Sequence, residues 1–367
     1  MIPLQTRGKP KNISRSIIGT IQVDNLDNSI FILDSKDKNQ RIVLSSDPSG
    51  SQHSIGVFNV NTNHLTPGDI VILFPNGVLN TLFRVESEDN TFFMTNKCNQ
   101  ECIMCSQPPK RKEDIEQLFE INSNLIDLIP LSTRQIGISG GEPTLCGKYL
   151  FMLLVKLFNR IQQVNVTILT NATLLSDQSF FQNLEGLNKE RILFSVPLYG
   201  DNQYTHDAIV RSKGAFYKTI QGIHKLFHLG FRVELRVIPQ LKNIMRLEKI
   251  SHFIYKNLTF VEQVAFMGLE NVGYARNNIL EIWVPPEKLI APLEKAVNFL
   301  KISGINCSLY NFQHCILSLP LREISQSTIS DWKLEYLPIC ETCNSKPSCG
   351  GIFNSSLEII KEYINPL

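Results

Sequence analysis

Residues 96–109, N-K-C-N-Q-E-C-I-M-C-S-Q-P-P, contain three cysteines within a stretch of eight positions. Cys98, Cys102 and Cys105 have the spacing C-x3-C-x2-C. Thiolates are soft ligands that bind zinc, copper(I) or iron–sulfur clusters. A structural metal site normally has a fourth protein ligand, whereas a site with three keeps one position open for a substrate or cofactor. The spacing therefore predicts a metal centre with one open position; three unligated core cysteines are the alternative.

Length, composition and charge describe an ordinary globular protein. The 367 residues are enough for one large domain and one or two small ones. Hydrophobic residues make up 43% of the chain and charged residues 19%, which is typical of soluble domains. Because 36 basic residues are balanced by 34 acidic ones, no strong field favours nucleic acid or an anionic membrane. We therefore expect no nucleic-acid partner and no membrane partner.

Two features of the sequence predict a cytoplasmic location. The first ten residues have no apolar signal-peptide core, and the most apolar run, residues 149–158, is too short to span a bilayer. Thiols stay reduced in the cytoplasm. The nine cysteines therefore indicate metal chemistry rather than disulfides.

The distribution of apolar residues divides the chain into three parts. Residues 1–88 contain β-branched runs and turn signals, one of them at 47–51, and predict a small β-rich accessory domain. Residues 89–304 alternate six apolar strands with helical patterns, which indicates parallel βα units in an open doubly wound sheet or a closed or partial barrel. Residues 305–367 are loop-rich and hold five cysteines, which predicts a small segment stapled by metal.

Polar or glycine-containing segments follow the predicted strands of the βα region. Sites in parallel α/β folds form where the carboxyl ends of the strands meet, so we expect these segments to line one pocket. They are the cysteine loop, Gly140-Gly141-Glu142-Pro143, Thr170-Asn171, Ser195, Arg236 and the segment 267–270 with Gly268. Ordinary polar residues at strand ends are the alternative interpretation.

The cysteine motif after a first strand and G-G-E-P after a second together resemble the radical S-adenosylmethionine (SAM) superfamily. The resemblance implies a partial (β/α)6 barrel of the TIM type and a [4Fe–4S] cluster on Cys98, Cys102 and Cys105. The amino and carboxylate groups of SAM would occupy the open iron. One electron would then cleave the sulfonium to methionine and a 5′-deoxyadenosyl radical, which abstracts hydrogen from the substrate.

The resemblance also implies contacts to SAM. Gly140, Gly141, Glu142 and Pro143 would lie along its methionine part, where glycine permits close approach and Glu142 accepts a hydrogen bond from the ammonium. The remaining implied contacts are Ser195 with the ribose, Arg236 with the methionine carboxylate, and Asn171 and Gly268 near the ribose and adenine.

The tail pattern C340-x2-C343-x5-C349-x3-F353 resembles a shortened auxiliary-cluster domain of peptide-modifying radical enzymes. The family pattern would place another cysteine at Phe353. Together with Cys315, the chain offers four thiolates, enough for one [4Fe–4S] cluster, which we favour, or one zinc ion.

Several other residues have less specific interpretations. His314 is a possible substitute ligand beside Cys315. Cys307 and Cys146 are predicted to be core thiols, and Met104 to pack beside the cluster, the adenine or other core residues. His206 and Asp207 could steer a substrate, with helix capping the plainer role for Asp207.

A closer resemblance is to the His-Xaa-Ser system radical SAM maturase (HxsC) family. Its motifs correspond to residues 98–109, 197–207, 214–222, 233–237 and 327–351. It implies a maturase that, with a partner radical SAM maturase and an electron donor such as flavodoxin or ferredoxin, modifies a ribosomal precursor peptide containing His-Xaa-Ser repeats. A radical SAM enzyme acting on a small molecule or nucleic acid, and a non-catalytic iron–sulfur or zinc scaffold, are the alternatives.

Overall fold

The structure is a computed structural model that describes residues 2–24, 29–47, 55–177, 184, 186–327 and 331–367. Two large β-sheets organise these residues. Of the turn predicted at 47–51, only Asp47 is described, and residues 328–330 of the last HxsC-like motif also lie outside the described ranges.

The first sheet has eight strands and closes on itself. They are β1 Gln5–Arg7, β2 Lys9–Lys11, β3 Ile17–Val23, β4 Ile30–Asp34, β5 Arg41–Ser45, β6 Gly56–Phe58, β7 Ile70–Leu73 and β8 Val78–Phe83, in the order β1-β8-β7-β3-β4-β5-β6-β2. Only Gly8 separates the two edge strands, so one short segment pairs with both ends of the sheet. A Cβ on Gly8 would lie 2.6 Å from the carbonyl oxygen of Phe58, which is why this bend is a glycine. The N-terminal unit is therefore a small β-barrel.

Alternating apolar residues fill this small barrel. In β3, the sequence I-I-G-T-I-Q-V buries Ile17 and Ile21, and the neighbouring strands add Ile32, Ile42 and Val71. Burying each of these side chains contributes about 1.5–3 kcal/mol. A period of two along the strands thus forms one apolar core.

The second sheet is entirely parallel, and its seven strands follow chain order. They are β9 Thr91–Phe93, β10 Gln135–Ser139, β11 Asn165–Leu169, β12 Ile192–Pro197, β13 Arg232–Val237, β14 Gln263–Met267 and β15 Cys307–Tyr310. Sequential parallel order with helical crossovers confirms the predicted partial barrel of the TIM type. The sheet has one strand more than the six expected, because β15 lies in the segment that the sequence assigned to the tail.

Helices cover the outside of the parallel sheet. They are α1 Ile115–Leu128, α2 Lys148–Arg160, α3 Gln203–Val210, α4 Ala215–His228, α5 Leu247–Asn257, α6 Tyr274–Asn277, α7 Ile279–Ile282 and α8 Pro286–Ile302, followed in the tail by α9 Leu319–Arg322 and α10 Leu357–Ile360. In α2, Leu150, Leu153, Leu154 and Leu157 are buried at positions i, i+3, i+4 and i+7. This apolar stripe is what packs a helix on a sheet. Among the described residues, no helix is both long and apolar enough to cross a membrane.

The small barrel and the tail both pack against the parallel barrel. Ile70 and Phe83 of the small barrel are buried in the same apolar cluster as Ile126 of α1. The tail contains a two-stranded antiparallel sheet, β16 Leu334–Glu335 and β17 Ile352–Phe353. The backbone N–H of Ile2 donates to the carbonyl of Trp332 at 2.8 Å, so the small barrel and the tail also touch each other.

Candidate active site and metal centres

The cysteine loop follows β9 and is anchored by backbone hydrogen bonds to two other segments. The N–H of Ile103 donates to the carbonyl of Ile209 at 2.9 Å, and the N–H of Tyr274 donates to the carbonyl of Cys105 at 2.8 Å. Helices α3 and α6, which follow β12 and β14, therefore hold the cysteine loop from both sides. Its fixed backbone presents three thiols at the carboxyl end of the sheet.

The G-G-E-P segment is hydrogen-bonded directly to the cysteine loop. The N–H of Gly141 donates to the carbonyl of Thr95 at 2.7 Å, and that of Glu142 to the carbonyl of Lys97 at 2.8 Å. A Cβ on Gly141 would lie 2.0 Å from the same Lys97 oxygen. In this structure the close approach that requires glycine is to the cysteine loop.

The carboxylate of Glu142 is buried and joins two strand ends. Its Oε1 accepts hydrogen bonds from the backbone N–H of Thr144 at 3.0 Å and from the hydroxyl of Thr170 at 2.6 Å, and its Oε2 accepts one from the N–H of Asn171 at 2.7 Å. Burial raises the pKa of Glu142, and these donors oppose the rise. Oε2 keeps acceptor capacity, so the predicted bond from an ammonium stays a prediction.

Asn171 lies beside the first cysteine. Its Nδ2 is 4.0 Å from Sγ of Cys98 and donates to Oδ1 of Asn99 at 2.7 Å. Its Oδ1 accepts from the hydroxyl of Thr173 at 2.7 Å. The structure thus brings Asn171 to the metal-binding loop.

Ser195 and Arg236 meet at a carboxylate that the sequence analysis did not single out. The hydroxyl of Ser195 donates to Oε1 of Glu234 at 2.7 Å, and Nε of Arg236 donates to the same oxygen at 2.8 Å. Gln263 donates to the other oxygen, and Ser308 donates to Gln263 at 3.2 Å. These side chains form one polar row across β12, β13, β14 and β15, inside the barrel.

The charge of Glu234 is stabilised by this row. Burial alone would raise the pKa of Glu234, but the positive charge of Arg236 and the hydrogen bonds lower it below its usual value. The signal in the sequence is V-E-L-R-V, which places Glu234 and Arg236 on one face of a strand. Ser195 is 1% exposed and its hydroxyl donates to Glu234, and its predicted contact with the ribose stays a prediction.

Tyr199 is held between the cysteine loop and Arg236. It shares an apolar cluster with Ile103, Met104 and Cys102. Burial and the nearby Cys102 and Cys105 thiols raise the pKa of Tyr199 well above its usual value, and Arg236 opposes the rise. Met104 is 5% exposed and packs in this cluster.

His206 and Asp207 have structural partners. Nδ1 of His206 accepts a hydrogen bond from the N–H of Tyr199 at 3.3 Å, and the imidazole is buried. The carboxylate of Asp207 accepts from the N–H groups of Gly214 at 2.6 Å and Phe216 at 2.8 Å, which caps the start of α4. The structure thus shows a helix-capping role for Asp207, and substrate steering by either residue stays a prediction.

The three thiols suit an iron–sulfur cluster. Burial raises the pKa of Cys98 to about 11, and it raises the pKa values of Cys102 and Cys105 as well. Buried thiols of this kind ionise when a metal supplies positive charge. No group of three or more His, Cys, Asp or Glu side chains in the described ranges is arranged to hold a single metal ion. A zinc ion needs its sulfurs about 2.3 Å from one centre, whereas a cluster presents its irons to thiolates that lie farther apart.

The four predicted tail thiols line one small pocket. They are Cys315, Cys340, Cys343 and Cys349. The N–H of Leu367 points at Sγ of Cys343 at 3.4 Å, and the N–H of His314 at Sγ of Cys349, also at 3.4 Å. Backbone N–H donors of this kind stabilise thiolate charge. The pocket also borders His314, whose buried Nε2 has no hydrogen-bond partner among the described residues.

The other cysteines and Gly268 lie apart from these thiols. Sγ of Cys307 is 3.6 Å from the carbonyl of Ile305, and Sγ of Cys146 is 3.7 Å from the carbonyl of Met94, as expected for core thiols. A Cβ on Gly268 would lie 2.2 Å from the carbonyl oxygen of Asn311, so the close approach there is to β15 and its loop.

A cavity of about 580 Å³ lies between the parallel barrel, the small barrel and the tail. Arg236 and Met267 line it from the parallel barrel, Thr81 from the small barrel, and Lys333 from the tail. Nζ of Lys333 forms an ion pair with Glu270 at 2.9 Å, which fastens the tail over the end of β14. Ser106 and Gln107 of the cysteine loop also line the cavity, so it reaches the metal-binding site.

Residues 92–251 match the family model of the Radical SAM superfamily. This range begins in β9 and ends in α5, and it contains the cysteine loop, G-G-E-P and the Glu234–Arg236 pair. That part of the chain is therefore a radical SAM superfamily domain.

The chain is similar to two curated proteins over part of its length. It is 29% identical over 194 residues to Fe-coproporphyrin III synthase of Methanosarcina barkeri, which covers 49% of this chain and 46% of that protein. It is 25% identical over 142 residues to GTP 3′,8-cyclase of Peptoclostridium acidaminophilum, which covers 37% and 42%. The chain thus spans less than half the length of either relative.

The chain is also similar to two solved structures at low identity. SuiB of Streptococcus suis bound to S-adenosylmethionine is 16% identical, with a TM-score of 0.48 over 61% of this chain and 50% of that one. anSMEcpe with bound AdoMet and the Cp18Cys peptide is 14% identical, with a TM-score of 0.49 over 74% of this chain and 94% of that one.

Proposed function

We propose that the chain is a radical SAM enzyme that modifies a ribosomally made peptide in the cytoplasm. The observation that carries the proposal is the direct hydrogen bonding between the cysteine loop and G-G-E-P within a radical SAM domain. Three thiols without a fourth protein ligand leave a cluster one open iron, which is what SAM binding requires. A non-catalytic scaffold would have no need of that vacancy.

Cys98, Cys102 and Cys105 would hold the cluster. When bound, a [4Fe–4S] cluster with SAM supplies a radical that abstracts hydrogen from the substrate. Arg236, oriented by Glu234, would bind the methionine carboxylate, and Glu142 would accept from the ammonium. Tyr199 and Met104 exclude water beneath the cysteine loop. We retain Gly140, Gly141, Pro143, Asn171, Ser195 and Gly268 as proposed cofactor-proximal residues.

Two observations support a peptide substrate. The cavity of about 580 Å³ is walled by all three parts of the chain, and it is in the size range of ligand pockets. It carries charges of both signs, with Arg236 and Glu270 at the barrel end and Lys333 on the tail. Together with the HxsC-like motifs, this favours a maturase of His-Xaa-Ser repeat peptides that acts with a partner radical SAM maturase.

We further propose that Cys315, Cys340, Cys343 and Cys349 hold an auxiliary [4Fe–4S] cluster. All four border one pocket, and backbone N–H groups point at the sulfurs of Cys343 and Cys349. Residues 1–88 would serve as an accessory domain that completes the cavity wall. A small-molecule substrate is the second candidate, because both curated relatives are named for small-molecule chemistry.

The test is reductive cleavage of SAM. Anaerobically reconstituted protein with dithionite and SAM should release 5′-deoxyadenosine, and Cys102→Ala should abolish the release. Cys307→Ala, a cysteine outside both sets, is the matched control and should retain it. Release that survives Cys102→Ala would overturn the radical mechanism.

The substrate class needs a second measurement. A neighbouring small peptide co-expressed with and without the enzyme should differ in its fragmentation spectrum, which also detects an isomerisation that leaves the mass unchanged. An identical spectrum with active enzyme would favour the small-molecule candidate.

A further inference from the structure

Three consecutive basic residues follow the cysteine loop. Lys110, Arg111 and Lys112 are all exposed. The N–H of Lys110 donates to the carbonyl of Asn96 at 2.9 Å, which fixes the run beside the start of the loop. The three positive charges therefore lie on one side of the cysteine loop, next to its first residues.

Two more basic residues lie at the opposite flank. Arg211 and Lys213 are exposed, and they follow Val210, whose carbonyl accepts the N–H of Glu101 at 3.2 Å. We call Lys110, Arg111, Lys112, Arg211 and Lys213 the basic collar.

The basic collar lacks ion pairs in the part of the chain that the structure describes, although Lys112 lies near the carboxylate of Asp114. Among the described residues, none of the five forms an ion pair, whereas the nearby Lys97 pairs with Glu113 and Lys156 pairs with Asp127. The whole chain has a net charge of only +2, so the collar is a local excess around one loop. Such an excess steers an oppositely charged partner to this site.

We propose that the basic collar docks an acidic protein that delivers single electrons to the cluster held by Cys98, Cys102 and Cys105. This inference rests on the proposed function, since SAM cleavage consumes one electron for each turnover. In the transfer the donor is oxidised by one electron and the cluster is reduced by one, with no bond made and no proton moved. Backbone hydrogen bonds from Lys110 to Asn96 and from Glu101 to Val210 place the basic collar next to the cysteine loop in the fold.

The peptide has a different approach. The cavity proposed for it is bordered by Arg236, Lys333 and Thr81, which lie inside the barrel, on the tail and on the small barrel. No residue of the collar lines that cavity. An acidic segment of the substrate on the collar is therefore the competing occupant that the experiment must separate.

The experiment compares two charge-reversal triples. The collar variant is Lys110→Glu/Arg111→Glu/Lys112→Glu. The matched control is Lys249→Glu/Lys256→Glu/Lys295→Glu, which makes the same change of charge at exposed positions on α5 and α8. Each protein is assayed for 5′-deoxyadenosine release with dithionite and with reduced flavodoxin, and for peptide modification with dithionite.

Flavodoxin-driven release should fall about tenfold or more in the collar variant, because a repulsive surface replaces an attractive one. Dithionite-driven release and peptide modification should stay within about twofold of wild type, since a small reductant needs no docking surface. Added salt should slow the flavodoxin-driven reaction of wild type and speed that of the collar variant. The control should behave as wild type throughout.

The outcomes separate the two claims. Unchanged flavodoxin-driven release, an equal loss in the control, or a selective loss of peptide modification would overturn the docking assignment. If dithionite releases no 5′-deoxyadenosine from wild type, the proposed function fails and the docking assignment falls with it. Should charge reversal prevent folding, Lys110→Gln/Arg111→Gln/Lys112→Gln must show a smaller loss of the same kind, and its absence overturns the proposal.

Discussion

The carbonyl of Lys97 fills the space where a side chain on Gly141 would begin. A Cβ at position 141 would lie 2.0 Å from the Lys97 oxygen and 3.1 Å from the amide nitrogen of Cys98. The first metal-binding cysteine is thus positioned by backbone contact with the second motif. Distance along the chain hides this contact, because 44 residues separate positions 97 and 141.

Gly141→Ala should therefore displace the cysteine loop. We expect a loss of about 2–3 kcal/mol in the free energy of unfolding, as for an overpacked core, and incomplete iron loading. Thermal unfolding and iron content per chain measure both effects. Gly186→Ala is the control, because a Cβ there meets none of the described residues within 4 Å. Normal iron content and stability in Gly141→Ala would contradict the contact.

Arg236→Lys should weaken SAM binding through the carboxylate. Lysine keeps the charge but loses the planar fork that Glu234 orients. We expect the dissociation constant for SAM to rise about tenfold to a hundredfold, equivalent to one charged hydrogen bond. Calorimetry of the cluster-loaded protein should show little change for decarboxylated SAM. Arg232→Lys, at the exposed start of the same strand, is the control. An equal loss for both ligands would count against carboxylate recognition.

Glu234→Gln should destabilise the barrel interior. The amide cannot neutralise Arg236, and its NH2 would face a donor of Gln263 or Arg236. We expect a loss of about 3 kcal/mol near pH 7, measured by urea unfolding. Glu262→Gln, which breaks the exposed pair with Arg232, should cost less than about 1 kcal/mol.

The destabilisation caused by Glu234→Gln should become smaller as the pH falls. The pKa of Glu234 is below its usual 4.5 in the folded protein, so its charge stabilises the fold above that pH. The stabilisation is lost as the pH falls through the lowered native pKa. The difference in free energy of unfolding between wild type and Glu234→Gln should then decrease at acidic pH and stay constant towards neutral pH. A difference that is independent of pH would exclude the ion pair as its source.

His206 should make the protein less stable as the pH falls. Burial lowers the pKa of His206 from 6.5 to about 4, so the unfolded chain binds the proton first. The contribution of neutral His206 to the free energy of unfolding is fully present above about pH 6.5. By pH 5 this contribution should fall by about 2 kcal/mol. Urea unfolding of wild type and His206→Gln at both pH values isolates that part. An imidazole resonance that titrates near its normal pKa would contradict the assignment.

Cys343→Ala should lower the iron content. Two [4Fe–4S] clusters give about eight irons per chain, and loss of a tail ligand should leave about four. Cys307→Ala should keep the wild-type number, because its thiol faces the carbonyl of Ile305. Wild type with four irons and one zinc would make the tail a zinc site.

The strands of the parallel sheet follow from the sequence, with one exception. β9 to β14 are apolar runs spaced by helical patterns, and that alternation has few stable arrangements. β15 has only four residues and contains a cysteine, so its composition indicated a metal-binding tail. β15 is a strand because it pairs with β14. That pairing joins residues far apart in the chain, so the local sequence does not reveal it.

The polar row at Glu234 could not be located from the sequence. R-V-E-L-R-V alternates charged and apolar residues, which is typical of a strand with one face in water. In a barrel both faces are covered, so the polar face must find partners. The register that places Ser195 opposite Glu234 arises only when β12 and β13 pair. The resemblance of the tail pattern to an auxiliary-cluster domain, with Cys315 added, by contrast named the four thiols that line one pocket.

The hydrogen bond between Ile2 and Trp332 has a consequence for folding during synthesis. The two residues are 330 positions apart, so the ribosome must add 330 residues after Ile2 before they can meet. The small barrel and the helices can form earlier from contacts closer in sequence. The part of the cavity wall that contains Lys333 would therefore form late in folding. A nascent chain would keep its cysteine loop accessible to cluster delivery until then.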